Sequence, residues 1–401
     1  MHTPLYLDTP STVDHFLASI AHTQAVALDT EGASFHRFVD RIYLLQLSTR
    51  DETAIIDPLP IGSPAGLGRL LEDPSVEIVF HDADYDVRLL HQDYGWQVRN
   101  VFDTRVAAQL LGLKAFGLAA LLERYFGLKL DKKFQRADWS LRPLTQGMLD
   151  YAAQDTIHLL ELRDRLKDAL DRAGRWSWAQ EEFALIEGTR WSDEDAGDAF
   201  LRMKGARDLN RRELAILREL VPWRDSVARE LDRATFRVIG NEQLLDIART
   251  QPTTREGLAV IKGMPRGIFE GRGNELLDAV RRGLAVPENA LPRFPKARRW
   301  DRDPDFDSRV NALKTVRDAA ASRLELDPGV LCSRDRMEAV ARRNPETVEQ
   351  LQEVSELRNW QRQVLGPDFV KALASHRKAA PAAPAPTAAP APTDDSPYRD
   401  V

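Results

Sequence analysis

Four acidic side chains lie at positions where the surrounding apolar segments would fold inward: Asp29, Glu31, Asp86 and Asp155. A buried carboxylate is costly unless a cation or a proton compensates its charge. Two divalent metal ions, held roughly 3.5–4 Å apart, would neutralise such a cluster and would catalyse in-line attack on a phosphodiester. The four acids therefore predict a metal-dependent hydrolytic centre.

The elements that position these acids can be predicted from the spacing of apolar residues. The run 25–28 predicts a buried strand, and its two-residue period places Asp29 and Glu31 on one face at the end of that strand. Asp86 follows a second predicted strand, 76–80, and opens a helix-like segment. It would lie at a strand-to-helix turn, where α/β folds commonly place functional residues.

The last acid is predicted to lie on a helix. Apolar residues at helical spacing cover 147–162, and Tyr151 and Asp155 are four residues apart within that segment. Residues with this separation share a helical face. A phenol and a carboxylate are therefore expected to face the same site.

The first 170 residues resemble the DEDD exonuclease superfamily, which implies an α/β RNase H-like fold with a mixed sheet flanked by helices. Its motifs Asp-x-Glu, a single Asp, and Tyr-x-x-x-Asp match Asp29 and Glu31, Asp86, and Tyr151 and Asp155. A sister subclass has His where this chain has Asp150, so the resemblance is to the Tyr subclass. The segments 44–48, 103–108 and 135–144 are also similar to the ribonuclease D family. Three motifs in order at domain spacing are far more specific than any one of them.

This resemblance implies a role for each motif residue. Asp29 would bind two metal ions, Glu31 and Asp155 would complete the ion that carries the attacking water, Asp86 would hold the other ion, and Tyr151 would orient the nucleophile. Oxygen ligands suit Mg²⁺ or Mn²⁺. Attack at the last phosphodiester would release 5′-mononucleotides in the 3′→5′ direction.

Substrate contacts are predicted from aromatic and basic residues near the motifs. The candidates are Phe35, His36, Phe38, Lys132, Lys133, Arg136 and Arg142. Aromatic side chains could stack on terminal bases, and a local basic excess could follow the phosphates. The alternatives are that the aromatic residues close a core and that the basic segment is a solvated loop.

Other titratable residues near the motifs are interpreted as structural. Asp82 and Asp84 are expected to be solvated turn acids, while Asp103 and Asp138 are expected to cap helices or anchor hydrogen bonds. The histidines His81 and His158 are expected to be packed side chains. Oxygen donors suit the predicted metal ions better than imidazole does.

Length and composition restrict the class of protein. The chain has 401 residues, of which 43% are hydrophobic, enough for two or three domains. Its net charge of −6 conceals the local basic segment beside the acidic centre. The single cysteine, Cys332, rules out an internal disulfide framework and fits a reducing compartment. With no predicted leader peptide or membrane-spanning segment, a cytoplasmic monomer is expected.

The second half of the chain is predicted to be helical, with helices that include 211–233 and 273–284, and to contain an internal repeat. Arg224-Asp225, among other residues, recurs 93 positions later as Arg317-Asp318. Both copies resemble the helicase-and-RNase-D carboxy-terminal (HRDC) domain, and the second copy is the more divergent. They are expected to bind nucleic acid or to position the catalytic domain, or else to serve only as packing modules.

These patterns predict six segments. They are an exonuclease domain (1–170), a helical linker (171–208), a first HRDC-like bundle (209–287), a basic linker (288–305), a second HRDC-like bundle (306–375) and an Ala/Pro-rich disordered tail (376–401).

The leading hypothesis is a metal-dependent 3′→5′ exoribonuclease that resembles ribonuclease D. The resemblance implies that it matures the 3′ ends of tRNA precursors and other structured RNAs. One alternative is a DNA 3′→5′ exonuclease, because the four acids do not themselves test for a 2′-hydroxyl. Another is a non-catalytic RNA-binding scaffold in which the acids are structural.

Overall fold

The computed structural model describes residues 3–131, 133–192, 198–295 and 303–376. The chain divides into two compact units, Met1–Arg302 with Leu324–Val330, and Asp303–Arg323 with Leu331–Val401. The predicted order is confirmed, because a mixed sheet flanked by helices precedes helical bundles.

Six strands form one sheet in the first unit. They are β1 (Leu5–Leu7), β2 (Ala25–Glu31), β3 (Leu44–Ser48), β4 (Thr53–Ile56), β5 (Glu77–Phe80) and β6 (Val101–Asp103). Their order is β1-β4-β3-β2-β5-β6. Strand β2 is antiparallel to β3 on one side and parallel to β5 on the other. The strand that carries Asp29 and Glu31 therefore lies inside the sheet.

Ten described helices lie between the amino terminus and residue 202. They are α1 (Pro10–Ser19), α2 (Pro58–Ile61), α3 (Ala65–Leu71), α4 (Asp84–Tyr94), α5 (Thr104–Leu110), α6 (Leu118–Phe126), α7 (Gln146–Ile157), α8 (Leu159–Arg172), α9 (Trp176–Glu187) and α10 (Ala199–Arg202).

The alternation of side chains along the strands creates two different faces. On one face, Val26 and Leu28 of β2 pack with apolar residues of α1, α3 and α4. On the other face, Leu44 of β3 and Ile55 of β4 pack with α7. The odd-numbered residues of β2, which include both acids, share the α7 face.

The first helical bundle follows within the same unit. It contains α11 (Arg211–Glu230), α12 (Thr235–Val238), α13 (Asn241–Thr250), α14 (Arg255–Ala259) and α15 (Arg266–Ala285). A capping box starts α11, because the Asn210 side chain accepts hydrogen bonds from the Arg212 and Glu213 amides, and the Asn210 amide donates to the Glu213 carboxylate. The buried faces of α11 and α15 form the centre of the bundle core.

The second bundle repeats this order of elements, except that a 3-10 helix, Glu349–Glu353, takes the place of α14. It contains α16 (Phe306–Leu324), α17 (Pro328–Leu331), α18 (Arg334–Arg343) and α19 (Asn359–Ala374). Helix α18 begins 93 residues after α13, and α19 begins 93 residues after α15. Gln251 and Asn344 also end equivalent helices in the left-handed conformation. The predicted sequence repeat is therefore visible in the structure.

Parts of four predicted segments lie outside the described residues. These are 1–2 and 132 of the exonuclease domain, 193–197 of the helical linker, 296–302 of the basic linker and 377–401 of the tail. None of the described helices combines the length and apolar character needed to cross a lipid bilayer.

Candidate active site

Strand β2 and helix α7 bring three acids together. One carboxylate oxygen from each of Asp29, Glu31 and Asp155 lies within 4.8 Å of the others. Helix α7 approaches the sheet closely through the small buried residues Ala152 and Ala153. The predicted strand period and helical face therefore direct the three side chains to one point.

Helix α7 is also fixed to the sheet by a buried hydrogen bond. The hydroxyl groups of Thr156, next to Asp155, and Ser48 of β3 are 2.7 Å apart. Buried hydroxyl groups require such partners, because an unpaired one loses its hydration without compensation. This bond limits sliding of α7 relative to the strand.

Asp86 is held at the same end of β2 by Thr30. The Thr30 amide and hydroxyl donate to Asp86 Oδ1 at 3.0 and 2.6 Å, respectively. Asp86 lies in the first turn of α4 and is only 5% exposed. Both hydrogen bonds use one carboxylate oxygen, which fixes the orientation of the other.

Burial disfavours the ionised form of all four acids, and repulsion between neighbouring carboxylates adds to this effect for Asp29 and Glu31. Burial and the charges of Asp86 and Asp155 raise the pKa of Asp29 well above its usual range. Burial and the charges of Asp155 and Asp86 also raise the pKa of Glu31 well above its usual range. Burial raises the pKa of Asp86 and of Asp155 to about 7. The ionised cluster therefore needs compensating cations at neutral pH. A dense set of carboxylate oxygens fits hard divalent metal ions.

Tyr151 lies beside the cluster between two aromatic rings. Its ring stacks on Trp139 at 6.2 Å and meets Phe134 edge to face at 5.9 Å, measured between centroids. Burial, followed by the charges of Asp155 and Glu31, raises its pKa well above the usual value. Its hydroxyl is therefore protonated at neutral pH and can donate a hydrogen bond.

Two polar residues next to the acids were not among the predicted site residues. Thr30 faces away from Asp29 in the strand period, so its contact with Asp86 depends on the tertiary position of α4. Gln46 lies opposite Asp29 in the β2–β3 register and is fully buried. Within the described residues, its amide oxygen and nitrogen have no hydrogen-bond partner. The sequence signals for Gln46 were its polar side chain within a buried strand and the similarity of the segment 44–48 to the ribonuclease D family.

Comparisons with known proteins agree with this geometry. Residues 4–171 match the 3′-5′ exonuclease family model, while residues 213–280 and 307–373 match the HRDC domain model. Ribonuclease D of Granulibacter bethesdensis is 34% identical over 346 residues, which covers 86% of each protein. The chain belongs to the ribonuclease D family. It is accordingly a 3′→5′ exoribonuclease, and its family depends on divalent metal ions.

Solved structures of ribonuclease D and of a related enzyme share the fold. The crystal structure of Escherichia coli ribonuclease D has a TM-score of 0.72 and 26% identity, covering 94% of this chain and 100% of that one. The catalytic core of Trypanosoma brucei RRP6 has a TM-score of 0.62 and 29% identity, covering 71% and 84% of the two chains. Together with the curated relatives, these matches favour an exoribonuclease over a DNA exonuclease or a scaffold.

The guanidinium group of Arg142 is engaged within the protein. It pairs with the Asp57 carboxylate and donates to the carbonyl oxygens of Tyr43, Trp139 and Leu141. These bonds use all the N–H donors of an arginine, which leaves none for a phosphate. The geometry therefore favours a structural role for this predicted substrate contact.

Replacing Arg142 with methionine should destabilise the fold. Burial raises the pKa of Asp57, but hydrogen bonds from Arg142 and Tyr6 more than offset this effect and lower it. The substitution would leave the 1%-exposed Asp57 without its cation, and we expect a loss of about 3 kcal/mol in the free energy of unfolding. Urea denaturation measures this loss. An unchanged midpoint with weakened RNA binding would instead identify a substrate contact.

The other predicted substrate residues have different surroundings. Phe38 packs against the core of the first bundle, with the Arg229 guanidinium 5.1 Å from its ring centroid. For Phe38, these contacts favour the alternative in which an aromatic residue closes a core rather than stacks on a base. His36 contacts the Arg136 carbonyl at 3.0 Å and therefore connects two loops.

The basic segment before α7 is only partly described. Lys133 lies with its amine 5.1 Å from the Phe134 ring, and Arg136 lies with its guanidinium 5.6 Å from the ring of Phe35. Lys132 falls outside the described residues. Phe35 and Arg136 thus remain candidates for contact with RNA.

The residues interpreted as structural have structural contacts. Asp103 caps α5 and also accepts from the Ala83 amide. Asp82 and Asp84 form ion pairs with Arg105 and Arg88.

The remaining three residues are likewise held by neighbouring side chains. Asp138 accepts from Ser140, and His158 stacks on Phe126. His81 contacts the Thr104 hydroxyl, and its burial lowers its pKa to about 4.

Proposed function

We propose that this exoribonuclease trims the 3′ ends of tRNA precursors and other structured RNAs with 3′ extensions, releasing 5′-mononucleotides. The observation that carries the chemistry is the convergence of Asp29, Glu31 and Asp155 within 4.8 Å. The substrate class is supported by E. coli ribonuclease D, which is described as an exoribonuclease involved in structured RNA processing.

The catalytic residues in this proposal are the four acids and Tyr151. Asp29, Glu31, Asp86 and Asp155 would hold two divalent cations, Mg²⁺ or Mn²⁺. When bound, such ions lower the pKa of an attacking water and stabilise the leaving 3′-oxygen. Asp29 is central because its charge interacts with the other three acids.

Tyr151 is proposed to position the attacking water. Its protonated hydroxyl can form a hydrogen bond at the edge of the acid cluster. The rings of Trp139 and Phe134 restrict its motion, so the hydroxyl is oriented before substrate arrives. This mechanism requires no covalent intermediate.

A gel time course on 5′-labelled RNA tests the function and the substrate class. A tRNA with a 3′ extension would be compared with an unstructured RNA that has the same 3′ sequence, each with Mg²⁺, Mn²⁺ or EDTA. We expect metal-dependent stepwise shortening that stops near the mature tRNA end. Equal trimming of the two RNAs, with the tRNA shortened past its mature end, would contradict the assignment to structured precursors.

Thr30→Val should weaken metal binding through Asp86. Valine keeps the shape of threonine but removes the hydroxyl that donates to Asp86. Loss of a hydrogen bond to a metal ligand typically lowers metal affinity roughly 10 to 100-fold, so the Mg²⁺ concentration for half-maximal activity should rise by about tenfold. Mg²⁺ titrations of initial rates measure this change. Thr30→Ser keeps the hydroxyl and should restore the wild-type titration, whereas a normal titration for Thr30→Val would exclude this role.

The remaining assignments are also proposals. We expect a cytoplasmic monomer, consistent with an RNA substrate and with the buried free thiol of Cys332. Light scattering after size-exclusion chromatography would test the monomer. The proposed boundaries remain 1–170, 209–287 and 306–375 for the three folded domains.

A further inference from the structure

Two phenylalanine rings from separate parts of the first unit meet at the protein surface. Phe35 lies in the loop after β2, and Phe236 lies in α12 of the first bundle. They are 48% and 53% exposed, and their centroids are 6.1 Å apart in an edge-to-face arrangement. Exposed aromatic rings that contact one another form an apolar surface suited to a ligand.

Hydrogen bonds to backbone carbonyl groups hold the two segments that carry this aromatic pair. Arg237, next to Phe236, donates to the Phe35 carbonyl. The Ala234 amide donates to the His36 carbonyl at 3.3 Å. Because both neighbouring segments are anchored, a ligand would meet a preformed surface and would lose little free energy in ordering it.

The chemistry around the pair favours nucleic acid. The Arg136 guanidinium lies 5.6 Å from the Phe35 centroid. Arg233 and Arg237 line an adjoining cleft of about 640 Å³. The acids of this cleft, Asp138 and Asp232, lie 3.9 and 3.0 Å from Arg37. Arg37 balances only one of these two negative charges, but Arg37, Arg233 and Arg237 together give the cleft three cationic side chains against two acidic ones. The excess of one positive charge favours an anion.

The aromatic pair is connected to the active site from two directions. Phe35 is four residues after Glu31. On the other side, Arg136 is two residues after Phe134, whose ring contacts Tyr151. A 3′→5′ exonuclease holds only the strand terminus at its catalytic centre, so the nucleotides on the 5′ side must leave across a neighbouring surface.

We propose that Phe35, Phe236 and Arg136 form a stacking platform for bases on the 5′ side of the cleaved RNA terminus, and that Arg233 and Arg237 contact the phosphates there. Aromatic rings bind any base because every base has a π face. This platform would hold a single-stranded 3′ extension without selecting its sequence. The inference rests on the exoribonuclease activity and is independent of the tRNA assignment.

Substitutions of Phe236 test the stacking role. Phe236→Ala and Phe236→Leu should each weaken binding of a 12-nucleotide RNA roughly tenfold, whereas Phe236→Trp should retain it. Binding would be measured by fluorescence anisotropy in EDTA, which prevents hydrolysis. Val260→Ala is the matched control, since Val260 is 80% exposed in the same bundle. It should bind as the wild type does.

A second readout separates the platform from the catalytic centre. For Phe236→Ala, kcat/KM should fall more on the 12-nucleotide RNA than on a dinucleotide. An equal fall on both substrates would place the effect at the catalytic centre and overturn the platform. Wild-type binding by Phe236→Leu would show that apolar packing suffices and would also overturn it. Wild-type binding by Phe236→Ala would exclude RNA and point to a protein partner.

The phosphate contact has its own test. Arg233→Gln should weaken binding to all sequences and reduce the slope of log Kd against log salt concentration by about one. Arg266→Gln in the same bundle is the control, because Arg266 is 88% exposed and pairs with Glu270. An equal change in slope for both variants would exclude a specific role for Arg233.

Discussion

Asp29→Asn should abolish metal-dependent RNA hydrolysis while RNA binding is retained. The substitution preserves the shape of the side chain but removes the charge at the centre of the acid cluster. Metal ions supply several kcal/mol of transition-state stabilisation, so initial rates should fall by roughly a thousandfold or more. Asp155→Asn should have a similar effect, because Asp155 completes the same group of oxygens. Mononucleotide release at saturating Mg²⁺ would measure both losses.

Helix α7 provides a matched control for this prediction. Asp150→Asn makes the same chemical change on the same helix, at an exposed residue whose carboxylate accepts from Gln146 at 2.9 Å. Its activity should remain close to that of the wild type. Substantial turnover by Asp29→Asn, or a comparable loss in Asp150→Asn, would contradict the assignment of the cluster.

Metal-free stability shows whether an inactive Asp29→Asn variant is folded. Burial and neighbouring charges raise the pKa of Asp29 in the folded protein above its value in the unfolded chain. At a pH above that unfolded value, Asp29 therefore lowers the free energy of unfolding of the metal-free protein. The neutral amide removes that cost. At pH 8 in EDTA, the variant should therefore melt no lower than the wild type. A lower melting temperature would show that the lost activity reflects damage to the fold.

The parts of the site that depend on local periodicity could be predicted from the sequence. A two-residue period placed Asp29 and Glu31 together, and a four-residue spacing placed Tyr151 on the same helical face as Asp155. These rules require only the backbone geometry of one element. The convergence of strand and helix came from the resemblance to a family, since no periodicity relates β2 to α7.

The contacts that sequence analysis missed join distant segments. Thr30 and Asp86 are 56 residues apart, and Arg142 and Asp57 are 85 residues apart. A basic residue near an acidic centre suggested a phosphate contact, whereas the structure pairs Arg142 with a buried acid. Local charge patterns cannot distinguish these two uses of an arginine.

Helix ends were less predictable than the helices themselves. The predicted helix 211–233 ends at Glu230, before Asp232 adopts a left-handed conformation. The predicted helix 273–284 instead begins at Arg266. Glycines at 267 and 271 weaken the helical pattern there, but packing of α15 against α11 favours the longer helix.

Tyr151→Phe should slow the chemical step by roughly 10 to 1000-fold, because it removes a hydroxyl that orients the attacking water. The phenyl ring keeps the contacts with Trp139 and Phe134, so stability and RNA affinity should change little. Single-turnover rates at saturating enzyme would isolate the chemical step from binding and product release.

Tyr125→Phe is the control for loss of a tyrosine hydroxyl, since Tyr125 lies in α6 and is not part of the proposed site. It should retain the wild-type rate. If Tyr151→Phe also retains that rate, the hydroxyl has no role in orienting water, and the four acids alone must position the nucleophile. If Tyr151→Phe is slow and Tyr151→Leu is no slower, the hydroxyl accounts for the catalytic role of this residue. A further large loss in Tyr151→Leu would show that the aromatic packing around the ring is also required.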